Sequence, residues 1–134
     1  MQAPPSHQIP AQLERALLIW DGDCGFCQRW MDRWRKLTAG AVDDDPYQRA
    51  AERFPGIPRS QFGQAVHLVE PDGTITRAAE AALRSLALAG RAKWLWRLYR
   101  SVRLFAWVSE TVYGWVAHHR DLLDRIERTV LRIP

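Results

Sequence analysis

Leu17-Leu18-Ile19-Trp20-Asp21-Gly22-Asp23-Cys24-Gly25-Phe26-Cys27 is the stretch on which the reading of this chain turns. Its first four residues form a short apolar run, read as a buried strand, and Asp21-Gly22-Asp23 reads as the turn that leaves it. From Gln28 to Leu37 apolar residues recur at helical spacing, so Cys24 falls at a strand-to-helix junction. Cys24 and Cys27 are the only two cysteines among 134 residues. A C-x-x-C pair can be half of a zinc site, a chance pair or a redox dithiol, and the strand-to-helix context favours the dithiol.

Working outward, the helix after Cys24 carries Phe26, Trp30, Trp34 and Leu37 on one side and Arg29, Arg33 and Lys36 on the other, with Gly40 as its C-terminal cap. Ala41 to Pro46 stands where a βαβ unit needs its second strand, but Asp43-Asp44-Asp45 makes that strand weak. Tyr47 to Phe54 reads as a helical turn or two. Ala65 to Val69 is a strand, Glu70-Pro71-Asp72-Gly73 a turn, and Thr74 to Arg77 the returning strand of a hairpin. Ala78 to Ala89 is an Ala/Leu-rich helix closed by Gly90. The order is βαβ followed by ββα, an α/β, thioredoxin-like core over residues 15–90. Residues 1–14, rich in proline, read as a loose arm, not a signal peptide. Residues 91–134 read as a helical extension packed on the core, with a break at Gly114.

A chain of this length forms one domain and can bury a core without staples. A hydrophobic share of 47% with 25% charged residues is that of a globular protein, and two cysteines three apart exclude a disulfide scaffold. The net charge of +4 tolerates nucleic acid or an anionic surface without requiring either. No apolar stretch approaches the ~20 residues that span a bilayer. The cytoplasm is the expected compartment.

Trp20-Asp21-Gly22-Asp23-Cys24-Gly25-Phe26-Cys27 resembles the signature of the DCC family of thiol-disulfide oxidoreductases, named for an Asp and two Cys that fall here on Asp21, Cys24 and Cys27. Val66 to Val69 with Thr76-Arg77 and Ala81-Ala82-Leu83 is similar to the family's second landmark. Val116-Ala117-His118-His119-Arg120 is similar to its C-terminal one. The resemblance spans about Leu17 to Arg120 and implies a thioredoxin-like fold and thiol redox activity. It supplies no substrate.

The residues themselves assign roles within the pair. Cys24, at a helix N-terminus, gains from unpaired backbone N–H groups and becomes the nucleophile, while Cys27, one turn in, resolves the mixed disulfide. Phe26 offers apolar surface to the substrate. Carboxylates oppose a thiolate, so Asp21 reads as structural or as proton acceptor for Cys27, and Asp23 as the helix cap. A modestly acidic Cys24 and a reducing couple follow. Zinc needs two further ligands, and His67, His118 and His119 form no second paired motif, so no metal and no bound cofactor are expected. No proline precedes Val66, so the proline loop that faces such dithiols is missing or altered.

The chain holds seven tryptophans. Trp94, Trp96, Trp107 and Trp115, beside Lys93, Arg97, Arg100 and Arg103, suit either a core or an interfacial surface, and core is favoured. Two functions emerge. One is exchange with a protein or small-molecule disulfide substrate, drawing on an unidentified electron donor. The other is a non-catalytic binding module whose Trp/Arg-rich helices meet a protein partner or a membrane surface. No motif supports nucleic-acid binding.

Overall fold

The computed structural model describes residues 13–131. Strand β1 (Leu17–Trp20) leads into helix α1 (Gly25–Thr38), then β2 (Asp43–Pro46), α2 (Tyr47–Ala50), a 3-10 turn (Ala51–Arg53) and α3 (Arg59–Gln64). The hairpin β3 (His67–Val69) and β4 (Ile75–Arg77) feeds α4 (Ala78–Leu88), followed by α5 (Lys93–Ser101), α6 (Arg103–His118) and α7 (Arg120–Leu131). The sheet order is β2-β1-β3-β4. β2 runs parallel to β1, while β3 and β4 are antiparallel to their neighbours. This is an α/β, thioredoxin-like fold with additional C-terminal helices. The arm expected over residues 1–14 lies outside the described residues except for Leu13 and Glu14, as do the last three residues of the extension.

Strand alternation splits the core between the two faces of the sheet. Leu17, Ile19 and Val69 pack with Ala50, Phe54 and Phe62 on one side. Leu18 and Leu68 pack with Met31 and Ala81 on the other, beneath α1 and α4. The acidic strand forms because each aspartate finds a cation or donor. Arg15 meets Asp43, Arg49 meets Asp45, and Asp44 takes Arg35 and the Trp20 indole N–H at 3.1 Å. β2 lies at the sheet edge, where charge also discourages pairing with another chain.

Several expectations change. α1 buries Phe26 and Met31, whereas Trp30 and Leu37 are 40% and 39% exposed. Its left-handed C-terminal turn begins on Ala39 (φ 50°), before Gly40 (φ 85°). Its arginine side is not free, because α7 docks there: Arg29 pairs with Asp124 and Glu127, and Arg33 with Glu127 at 2.8 Å. α6 runs unbroken through Gly114, an exposed glycine, and the helix breaks lie at Val102 and His119.

The favoured burial is overturned for three of the four C-terminal tryptophans, while Trp96 is half-buried and stacks on Tyr99. Trp94, Trp107 and Trp115 are 64%, 66% and 54% exposed. α6 turns Phe105, Ala106, Ser109, Tyr113 and Ala117 inward and leaves Leu104, Trp107, Val108, Val112 and Trp115 outside. Both faces carry helical spacing, so periodicity alone does not tell which one meets the core. Among the described residues no helix is long and apolar enough to cross a membrane.

Candidate active site

The turn between β1 and α1 is tied from three directions. Asp21 Oδ1 accepts from the Asp23 backbone N–H at 3.0 Å and from Gln48 Nε2 at 2.9 Å. Gln48 Oε1 in turn accepts from the Gly22 N–H at 2.9 Å, and Gln28 Nε2 donates to the Gly22 carbonyl at 2.7 Å. Gly22 admits no side chain, because a Cβ there would stand 2.7 Å from Cβ of Pro46 on β2. The close approach of the edge strand thus holds the turn that presents the dithiol.

Cys24 is the N-cap of α1, and its Sγ accepts from the Cys27 backbone N–H at 3.1 Å. The sulfur does what a Ser or Asp oxygen does at most helix starts. Asp23, expected to cap, is exposed and instead donates its N–H to Asp21. The Cys24 thiol is pulled down to about 6, chiefly by the hydrogen bond from the Cys27 side chain, then by the Cys27 backbone N–H and the Arg120 charge, against desolvation. Asp21 opposes the thiolate, but it is the weakest of these influences. Cys27 moves the opposite way. Its hydrogen bond to Cys24 and its burial push it far above the usual thiol range.

Arg120, at the start of α7, supplies what the motif lacks. Its Nη1 donates to Cys27 Sγ at 3.3 Å and lies 3.8 Å from Asp21 Oδ2. Nη2 donates to the Gly63 carbonyl at 2.8 Å and Nε to the Ala117 carbonyl at 3.1 Å, so the guanidinium is fixed from both sides. Asp21 and Cys27 therefore share one cation, 93 residues from Cys27 along the chain. The C-terminal landmark contained Arg120, but nothing in that string indicated where its side chain reaches. Gln48 carried no sequence signal at all.

Phe26 offers no outward surface. It is 8% exposed and meets Trp30 edge-on, with ring centroids 5.9 Å apart. It helps to wall an apolar cavity of about 340 Å³ beside the dithiol, with Trp34, Ala65, Val66 and Val112. Ala65 and Val66 stand ahead of β3, where the altered proline loop was expected, and the Val66 N–H donates to the Tyr113 hydroxyl at 2.9 Å.

The histidines lie in other surroundings. His67, expected at the surface or between strands, is 2% exposed against Phe62, with Nδ1 3.0 Å from the Ala65 carbonyl. His119 stacks on Trp115 at the end of α6. Among the described residues no three His, Cys, Asp or Glu side chains group as metal ligands.

A family model described as DCC1-like thiol-disulfide oxidoreductase matches residues 18–125. No curated protein and no solved structure matches this chain.

Proposed function

We propose, since this chain belongs to the DCC1-like thiol-disulfide oxidoreductase family, that it exchanges disulfides through Cys24 as nucleophile and Cys27 as resolving thiol, with Asp21 and Arg120 beside them. The observation that carries this reading is the asymmetry of the pair: Cys24 Sγ caps the helix start and accepts the Cys27 N–H, surroundings that lower its pKa, while Cys27 sits one turn in, where its hydrogen bond to Cys24 and burial raise its pKa. A thiolate at Cys24 attacks a substrate disulfide, forming a mixed disulfide and expelling one substrate thiolate. Cys27 then loses its proton, attacks Cys24 Sγ and expels the second. Arg120, 3.3 Å from Cys27 Sγ, stabilises the charge that develops there. Asp21, nearest through the same guanidinium, suits the role of proton acceptor. An acidic Cys24 favours the dithiol over the disulfide, which moves the couple toward the oxidising end, against the reducing couple read from sequence.

The test is a trap. Cys27→Ser keeps the nucleophile and removes the resolving thiol, so reducible covalent adducts accumulate in cells; Cys24→Ser gives none. A folded Cys27→Ser protein without adducts would rule out the assigned roles.

The exposed outer face of α6 favours a second contact, at an anionic membrane surface. Leu104, Trp107, Val108, Val112 and Trp115 form an apolar stripe on a helix whose other face meets the core. Between positions 91 and 118 the cations are Arg91, Lys93, Arg97, Arg100 and Arg103, and the one acid, Glu110, is turned inward onto α4 and Tyr99. Tryptophan and arginine together suit the headgroup boundary. The full-length protein should float with phosphatidylserine vesicles and be released by high salt. Equal behaviour with neutral and anionic vesicles would remove this reading.

A further inference from the structure

The dithiol has two sides. Cys27 forms part of the wall of the 340 Å³ cavity and Cys24 does not. Trp30 and Val112 line the same cavity and also reach solvent, which marks a mouth between α1 and α6. At this volume the space lies at the small end of ligand sites, enough for one compact molecule. Its walls are apolar, and Cys27, Asp21 and Arg120 meet within them. The guanidinium charge is already matched by Asp21, so a further ion would enter at the cost of its hydration. The one thiol in the wall is Cys27.

We propose, building on the dithiol reading above, that the electron donor is a small, uncharged, apolar dithiol that enters this cavity and reduces the Cys24–Cys27 disulfide by attacking Cys27 Sγ from inside. One thiolate of the donor bonds to Cys27 Sγ; the Cys24–Cys27 bond breaks and its electron pair leaves on Cys24. That sulfur remains a thiolate under the Cys27 N–H, at 3.1 Å in the reduced protein. The donor's second thiol, deprotonated, then attacks its own sulfur in the mixed disulfide. A cyclic disulfide forms, the electron pair leaves on Cys27, and Cys27 takes up one proton beside Arg120. The donor gives up two electrons and two protons, one proton reaching Cys27 and one reaching solvent. A dithiol is favoured because its second thiol is already held beside the mixed disulfide, so the second step is intramolecular. Attack at Cys27 also expels the more acidic thiol of the pair, the better leaving group.

The oxidised full-length protein is treated with dihydrolipoamide, dithiothreitol or glutathione, with and without octanamide, a neutral apolar amide that has no sulfur. Reduction by dihydrolipoamide should saturate and exceed dithiothreitol in second-order efficiency by at least about tenfold, the gain from burying about two methylenes. Octanamide should compete with dihydrolipoamide and leave glutathione unaffected. Ala82→Phe, which fills the cavity wall, should raise the half-saturating concentration of dihydrolipoamide. Unsaturable kinetics, equal efficiencies and no competition would overturn the cavity proposal while leaving the dithiol reading standing. Failure of the disulfide to form, or of every thiol to reduce it, would overturn both. If Ala82→Phe does not fold, the octanamide competition alone decides.

Discussion

At Cys24 the helix cap and the proposed nucleophile are the same atom. The sulfur that caps the helix is stabilised as a thiolate chiefly by the hydrogen bond from the Cys27 thiol, then by the Cys27 backbone N–H, and Arg120 adds a further positive influence through space. Its ordinary value of 9.0 falls to about 6 in the folded protein, so alkylation of Cys24 by iodoacetamide should rise with a midpoint near pH 6. Arg120→Met removes one of the lowering influences and should move that midpoint up; an unchanged midpoint would sever Arg120 from the site. Because the folded value is depressed, the thiolate's contribution to stability is fully present above about pH 9 and is lost as pH falls toward 6. The melting temperature of the reduced wild type relative to Cys24→Ser should therefore widen between pH 6 and 8.5. Cys24 and Cys27 were legible because local spacing placed them. Arg120 was not, because its role depends on α7 folding back over α1, and no local pattern encodes a contact across 93 residues.

The elements that were hardest to read are those whose partners lie far along the chain. β2 looked too acidic for a strand, yet its aspartates are the points at which Arg15, Arg35 and Arg49 secure it. The inward side of α1 was only half legible: Phe26 is inside, but Arg29 and Arg33 receive the acids of α7, and Gly25 leaves room for Asp124, whose Oδ1 would stand 3.0 Å from a Cβ. α6 shows why the tryptophans were misread, since a helix apolar on two faces offers two equally periodic stripes. Gly114 was misread for a related reason. Glycine weakens a helix without ending it, and here α4, α5 and the core hold the helix on either side. A Cβ at Gly114 would meet nothing within 4 Å. Gly114→Ala should therefore stabilise the protein by about 0.5–1 kcal/mol, seen as a higher urea midpoint at unchanged slope. A lower midpoint would mean that α6 does not run straight through this position.

Over the whole molecule, the C-terminal helices complete structures that the βαβ-ββα core leaves open. α4 begins with no side-chain cap of its own. Glu110 of α6 accepts the N–H groups of Ala79 and Glu80, each at 3.2 Å, while holding the Tyr99 hydroxyl of α5 at 2.6 Å. The Tyr113 hydroxyl takes the Val66 N–H at the start of the hairpin strand, and Arg91 donates to the Leu37 carbonyl at the end of α1. Removing everything after Gly90 would leave these groups unpaired, take the cation away from Cys27, and open the cavity wall formed by Leu18, Phe26 and Trp34 to water. An orphaned buried polar group costs about 1–3 kcal/mol, and a domain holds only about 5–15 kcal/mol in total. Residues 1–90 alone should therefore lose cooperative thermal melting and aggregate, whereas the full chain melts in one transition. A truncated protein that melted cooperatively near the full-length temperature would show that the core stands without its extension. In that case the cavity, Arg120 and the outward tryptophan stripe would be additions to a finished domain instead of parts of one.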